Sequence, residues 1–89
     1  MTGTTASGFE FEMEDDLLKD VEFLEIFYAV QRGDTGAVFD LIGAALGKDQ
    51  KKALYDHVRN GKGKVMIEDL TPELEDMFKA LGENQATKN

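Results

Sequence analysis

Residues 20 to 47 read DVEFLEIFYAVQRGDTGAVFDLIGAALG, two apolar patterns of helical period joined at Arg32-Gly33-Asp34. From Phe23 to Val30, six of eight residues are large and apolar. A helix on the surface of a small domain hides an apolar stripe roughly 100° wide. This load wraps further round, so the helix must be buried on several sides or against another chain. Leu17, Val21, Leu24 and Tyr28 make one stripe at helical spacing, and Phe23, Phe27 and Val30 make the adjacent one. Glu22, Glu25 and Arg32 mark the wet edge. Asp15, Asp16 or Asp20 can cap the start, and Gly33 suits the residue just past a helix end.

Working outward, Asp34 is placed to cap a second helix. In it Val38, Leu41, Ile42, Ala45 and Leu46 recur at three and four, and Gly47 ends it. The small residues Gly43, Ala44 and Ala45 leave a patch that another helix can approach closely. Asp49 can open a third helix to Arg59 or Asn60, with Leu54 and Val58 inward. Lys51 and Lys52 fall in its first turn, where the helix dipole disfavours cations, which points to another job or another neighbour for them. Asn60-Gly61-Lys62-Gly63 is a turn. Thr71-Pro72-Glu73 has the composition of a helix start, Leu74, Met77, Phe78 and Leu81 follow as its apolar stripe, and Gly82 ends it. Upstream, Phe9-Glu10-Phe11-Glu12-Met13 alternates apolar and acidic, the period of a half-buried strand. Its partner is expected at Lys64–Ile67 or in another chain. Residues 1–8 read as a disordered tail and 83–89 as a frayed end. The fold class expected is mainly α: one domain over residues 9–82, a small bundle of three to four short helices with one short β pairing.

Composition narrows the function classes. The chain has 89 residues, enough for one domain, and no cysteine, which removes disulfides and thiolate metal sites. No run approaches the roughly 18 apolar residues of a membrane span. The first residues, MTGTTASG, lack the basic and apolar blocks of a signal peptide, so a cytosolic protein is expected. Net charge is −8 and unevenly placed. Glu10 to Glu25 holds eight acids and one base, while Lys48 to Lys64 holds six bases and two acids. The overall sign argues against a nucleic-acid partner, whose phosphates need a basic face. The uneven placement suits intramolecular pairs, or steering of self-assembly or of a basic partner.

Side chains that could carry chemistry are sparse. His57 is the sole histidine and Ser7 the sole serine. With Ser7 in a tail, the pair has no scaffold for nucleophilic catalysis. Acids crowd Glu73-Leu74-Glu75-Asp76 as they do many helix starts. Val58 to Asp69 imitates a calcium loop, but Val58 and Lys62 would stand at positions that need oxygen donors. The Gly61-Lys62-Gly63-Lys64 turn is too short for a phosphate loop. No catalytic residue, metal site or cofactor is expected. Six phenylalanines are many for this length, and those that do not fit inside would mark a partner surface.

The order of these pieces carries a family resemblance. A polar start leads into Phe9-Glu10-Phe11-Glu12, then Asp20-Val21-Glu22-Phe23-Leu24-Glu25, the Gly33-Asp34 break, and a helix ending Leu46-Gly47. A Lys-Asp-Gln stretch and Leu54 to Val58 follow, then Val65, Ile67 and Glu68, then Phe78 to Gly82. Over residues 9 to 82 this resembles the small tail assembly chaperones of long-tailed, siphovirus-type bacteriophages and prophages. The resemblance implies a non-enzymatic protein of the bacterial host cytoplasm, absent from the finished virion. It would coat the tape-measure protein and help recruit tail-tube protein, and a homo-oligomer is expected. By their position, Phe23, Ile26, Phe27 and Val30 are expected to make client or self contact, with Phe9 and Phe11 as second choice. A different acidic interaction protein, such as a DNA mimic or antitoxin-like adaptor, and a minor structural virion protein are the alternatives.

Overall fold

The computed structural model describes residues 1–86. In chain order it comprises β1 (Thr2–Thr4), β2 (Glu10–Glu12), one 3-10 turn (Leu17–Lys19), α1 (Val21–Gln31), α2 (Ala37–Val58) and α3 (Ile67–Ala86). This is the mainly α architecture expected, with one short antiparallel β pairing. The strand period holds: Phe9, Phe11 and Met13 are buried while Glu10 and Glu12 face water.

The strand's partner differs from the expectation. β2 pairs with β1, Thr2 opposite Glu12, Gly3 opposite Phe11 and Thr4 opposite Glu10. The segment expected as a disordered tail therefore holds a strand. Gly3 shows why the small residues matter. A Cβ there would come within 2.6 Å of Phe11 Cζ, so the buried ring lies across the bare α-carbon. The Thr5 amide donates to the Phe9 carbonyl (2.9 Å) and the Gly8 amide to the Thr5 carbonyl (2.9 Å), which closes the hairpin. Lys64–Ile67, the expected partner, instead leaves the Asn60 turn and enters α3. Asn60 Oδ1 accepts from the Lys62 and Lys64 amides, which fixes that turn without a strand.

Asp20 caps α1, accepting from the Glu22 amide at 2.9 Å and the Phe23 amide at 3.3 Å. At the other end the Gly33 amide reaches the Val30 carbonyl and the Asp34 amide the Ala29 carbonyl, a Schellman turn. Asp34 Oδ1 then accepts from the Ala37 amide at 3.3 Å. The expected second and third helices form the two limbs of α2, divided at Gly47 with φ 81° and ψ 165°. That backbone region is essentially reserved for glycine. The Gln50 carboxamide bridges the break. It donates to the Leu46 and Glu12 carbonyls and accepts from the Glu12 amide, tying α2 to β2.

α3 begins earlier than Thr71-Pro72 suggested. Leu70, Leu74, Met77 and Leu81 form one buried stripe, and burying Leu70 draws the chain into helix ahead of the proline. The Met66 carbonyl accepts from the Asp69 and Leu70 amides, and Pro72 lies inside the helix. Thr71 does not cap. Its hydroxyl donates back to the Ile67 carbonyl at 2.8 Å. At the far end the helix continues through Gly82 to Ala86, so part of the expected frayed end is helical and 87–89 lie outside the described residues.

The core gathers under the kink. Phe23, Ile42, Leu54 and Met77 are the largest fully buried side chains, each stabilising by roughly 1.5–3 kcal/mol. α1 packs mainly on α2, and the hairpin lies across α2 and α3. The body is elongated, 43 × 27 × 20 Å.

Candidate functional site

α1 carries two apolar stripes, and packing against α2 decides which is wet. The Phe23, Phe27, Val30 stripe turns inward. Phe23 is 2% exposed and stacks on Phe27, ring centroids 6.3 Å apart. Ile26, Phe27 and Val30 are half-buried against the core. Phe9 and Phe11 are core residues as well. Of the residues expected to meet a partner, Phe9, Phe11 and Phe23 therefore have no surface to offer, because the domain's own hairpin and α2 cover them. The other stripe faces water. Val21 is 69% and Tyr28 55% exposed, and Leu24 lies half-buried between them. With Glu25 and Arg32 they line a shallow trough along α1 of about 400 Å³. Phe27 supports it from below, its ring edge-on to Tyr28 at 5.5 Å. Asp20 and Glu22 add carboxylates on the same helix.

A second apolar surface lies between α2 and α3. Phe39, Tyr55, Val65, Ile67 and Leu70 line a hollow of about 170 Å³. Ile67 is 59% exposed, and Phe39 and the neighbouring Met66 are also open. Lys51 stands at its rim. Its ammonium donates to the Phe39 carbonyl at 2.9 Å and lies 5.8 Å from the Tyr55 ring centre. Its stem crosses Gly43, so this lysine occupies part of the small-residue patch of Gly43, Ala44 and Ala45. Partial burial pushes the Tyr55 phenol up from its ordinary pKa. Lys52 pairs with Asp56 at 2.9 Å, and Arg59 with Asp56 at 3.2 Å. Of the two alternatives their position left open, another job or another neighbour, both first-turn lysines have neighbours.

The third constellation was invisible in the sequence. Because residues 1–8 are ordered, Ser7 does have a scaffold. Its Oγ lies 2.9 Å from His57 Nε2 and 2.8 and 2.9 Å from the two Glu73 oxygens. The Thr5 hydroxyl donates to Glu73 Oε1 at 2.7 Å, and the Ala6 amide to Asp76 Oδ2 at 2.9 Å. Glu73 is 4% exposed and His57 is exposed beside Phe9. In a nucleophilic triad the histidine takes the serine proton while the acid orients the other ring nitrogen. Here the acid grips the serine itself. Ser7 has one proton, directed at Glu73, so His57 Nε2 donates to Ser7. The arrangement is a relay into a buried carboxylate that fastens the hairpin to α2 and α3.

Among the described residues, no three histidine, aspartate or glutamate side chains converge to hold a metal ion, and no helix is long and apolar enough to cross a membrane. No family model, curated protein or solved structure matches this chain. What the chain offers a partner is its own open surface, foremost the Val21–Leu24–Tyr28 stripe.

Proposed function

We propose that this chain is a non-enzymatic tail assembly chaperone of the long-tailed phage type, which sheathes apolar helices of the tape-measure protein along the outer face of α1. The observation that carries the reading is the exposed stripe Val21–Leu24–Tyr28, held on a capped, acid-flanked helix over a packed core. Helix-in-groove recognition uses anchors at this spacing. Each anchor would contribute about 1–2 kcal/mol on burial, which makes a weak, reversible contact. That suits a chaperone that must leave when the tube closes round its client. Many copies along one long client would add avidity. Net charge of −8 opposes aggregation of the coated complex. Recruitment of tail-tube protein, action in the bacterial cytoplasm and absence from the finished virion belong to the same proposal and rest on the resemblance.

The test is co-purification with a helical tape-measure segment. The complex should form with the native chain and be lost with Leu24→Asp or Tyr28→Asp, with helix content unchanged by circular dichroism. Phe23→Asp is the wrong probe, because it unfolds the core. A complex indifferent to both α1 substitutions removes the site, and failure to form any complex removes the proposal.

A further inference from the structure

The turn between α2 and α3 has no part in client binding, and its bonds point to a chemistry of its own. We infer that Asn60-Gly61 is a site of self-modification. There the Gly61 amide closes on the Asn60 carboxamide, converts asparagine into aspartate and isoaspartate, and so loosens the joint between the helices. The inference does not need the tape-measure reading.

The chain folds the Asn60 side chain over the nitrogen that attacks it. Asn60 Oδ1 accepts from the Lys62 amide at 2.9 Å and the Lys64 amide at 3.0 Å. A side chain that accepts from the amide two residues on lies over the intervening peptide, here the one that carries the Gly61 nitrogen. The Asn60 amide donates to the Lys64 carbonyl at 2.9 Å and the Gly63 amide to the Asn60 carbonyl at 3.0 Å, which fixes the turn. The Gly61 amide donates to no acceptor among the described residues. Nucleophile and electrophile are thus neighbours, and the two amides that hold Oδ1 face the oxyanion that forms on it. Arg59, Lys62 and Lys64 place positive charge on the turn, which favours loss of the Gly61 amide proton. Asp69 and Glu73 line the same shallow pocket as Asn60 and oppose that field, but Glu73 is engaged by Thr5 and Ser7.

The fold itself does not require glycine at position 61. Gly63, with φ of 79°, serves the left-handed position of this turn. Gly61 does not have a positive φ, and a Cβ added there would meet no atom within 4 Å. What the bare α-carbon changes is ring closure, because a side chain at this position would crowd the closing nitrogen.

The atoms balance with water as the co-reactant. The Gly61 nitrogen gives up its proton and bonds to Asn60 Cγ. The Cγ–Nδ2 bond breaks, and ammonia leaves with that proton, which closes a succinimide. Water then opens the ring. Attack at Cγ restores the main chain and leaves aspartate, while attack at the main-chain carbonyl reroutes the chain through Cγ and leaves isoaspartate. Either product makes the net charge more negative than −8. Aspartate keeps an oxygen for the Lys62 and Lys64 amides. Isoaspartate builds that group into the main chain and lengthens it by a methylene, so the acceptor that fixes the turn is lost.

Peptide mapping by mass spectrometry tests this on the full chain, held at neutral pH and warm but well below its melting point. Each conversion exchanges NH for O. Asn60 should convert at least about tenfold faster than Asn84, which lies inside α3 before Gln85. Gly61→Ala should keep the circular dichroism of the native chain and slow conversion by about tenfold or more. Unfolding in guanidinium chloride should also slow it, because the Lys62 and Lys64 amides then leave Oδ1. The isoaspartate form, separated by chromatography, should melt about 4–8 °C below the parent. An intact Asn60 in the folded chain, faster conversion in the unfolded than in the native state, a rate unmoved by Gly61→Ala, or an isoaspartate form as stable as the parent overturns the inference.

Discussion

Glu73→Ala tests how the hairpin is held, because one buried carboxylate fastens it to the helices. Glu73 accepts from the Thr5 hydroxyl at 2.7 Å and from the Ser7 hydroxyl at 2.8 and 2.9 Å. The two Ser7 distances share one proton, so two donors are lost. A hydrogen bond to a charged group contributes about 1.5–3 kcal/mol net. Removing the carboxylate also removes its desolvation penalty, which offsets part of that sum. The expected loss is about 3 kcal/mol. At roughly 0.05–0.15 kcal/mol per residue, the whole domain has about 4–13 kcal/mol to lose. For this size each kcal/mol moves the midpoint by about 4–8 °C, so thermal melting should fall by roughly 12–24 °C. Glu73→Gln keeps one acceptor oxygen and should lose about half as much. Hydrogen exchange should show the amides of β1 and β2 opening before those of α2. A fall of only a few degrees for Glu73→Ala, with hairpin protection unchanged, would show that the fastening is ornamental and the reasoning mistaken.

Phe23→Ala should cost about 3–5 kcal/mol by urea denaturation, as a fully buried ring leaves a cavity between α1 and α2, whereas Tyr28→Ala should change stability by less than about 1 kcal/mol. Gly47→Ala meets no neighbouring atom, yet its φ of 81° and ψ of 165° strain any side chain, so a loss of about 1–3 kcal/mol is expected in the same assay. The Lys52 ammonium first, and the Arg59 guanidinium second, hydrogen-bond the Asp56 carboxylate and hold its pKa below the usual range. A pKa lower in the folded state means that these pairs support the end of α2 at neutral pH and cease to do so as pH falls through the acidic range. Amide protection factors near Val58, each referred to the intrinsic exchange rate at that pH, should therefore fall on acidification, and Asp56→Asn should abolish that dependence.

Local signals were legible in the sequence wherever one residue or one period sets the backbone. Gly33-Asp34 and Gly47 marked their breaks, and the Phe9 to Met13 alternation marked a strand with its buried face. Thr2-Gly3-Thr4 carried no such signal. Three small residues resemble a tail, and only the Phe11 ring above Gly3 makes them a strand. Thr71-Pro72 misled because burial of Leu70 outweighed the proline's local preference. Both stripes of α1 were readable, but which one met α2 was a tertiary choice, and it turned Phe23 inward and left Val21 and Tyr28 in water. Ser7, His57 and Glu73 meet across 50 and 66 residues of chain, beyond any periodicity.

The central claim is that the Val21–Leu24–Tyr28 face of α1 is the ground on which a client helix docks. Amide chemical-shift mapping with a tape-measure helical segment measures this directly. The account predicts saturable shifts along the outer face of α1, strongest at Val21, Leu24 and Tyr28, with Phe9, Phe11 and Leu54 unmoved. Shifts confined to the hairpin, or none at saturating segment, would contradict it.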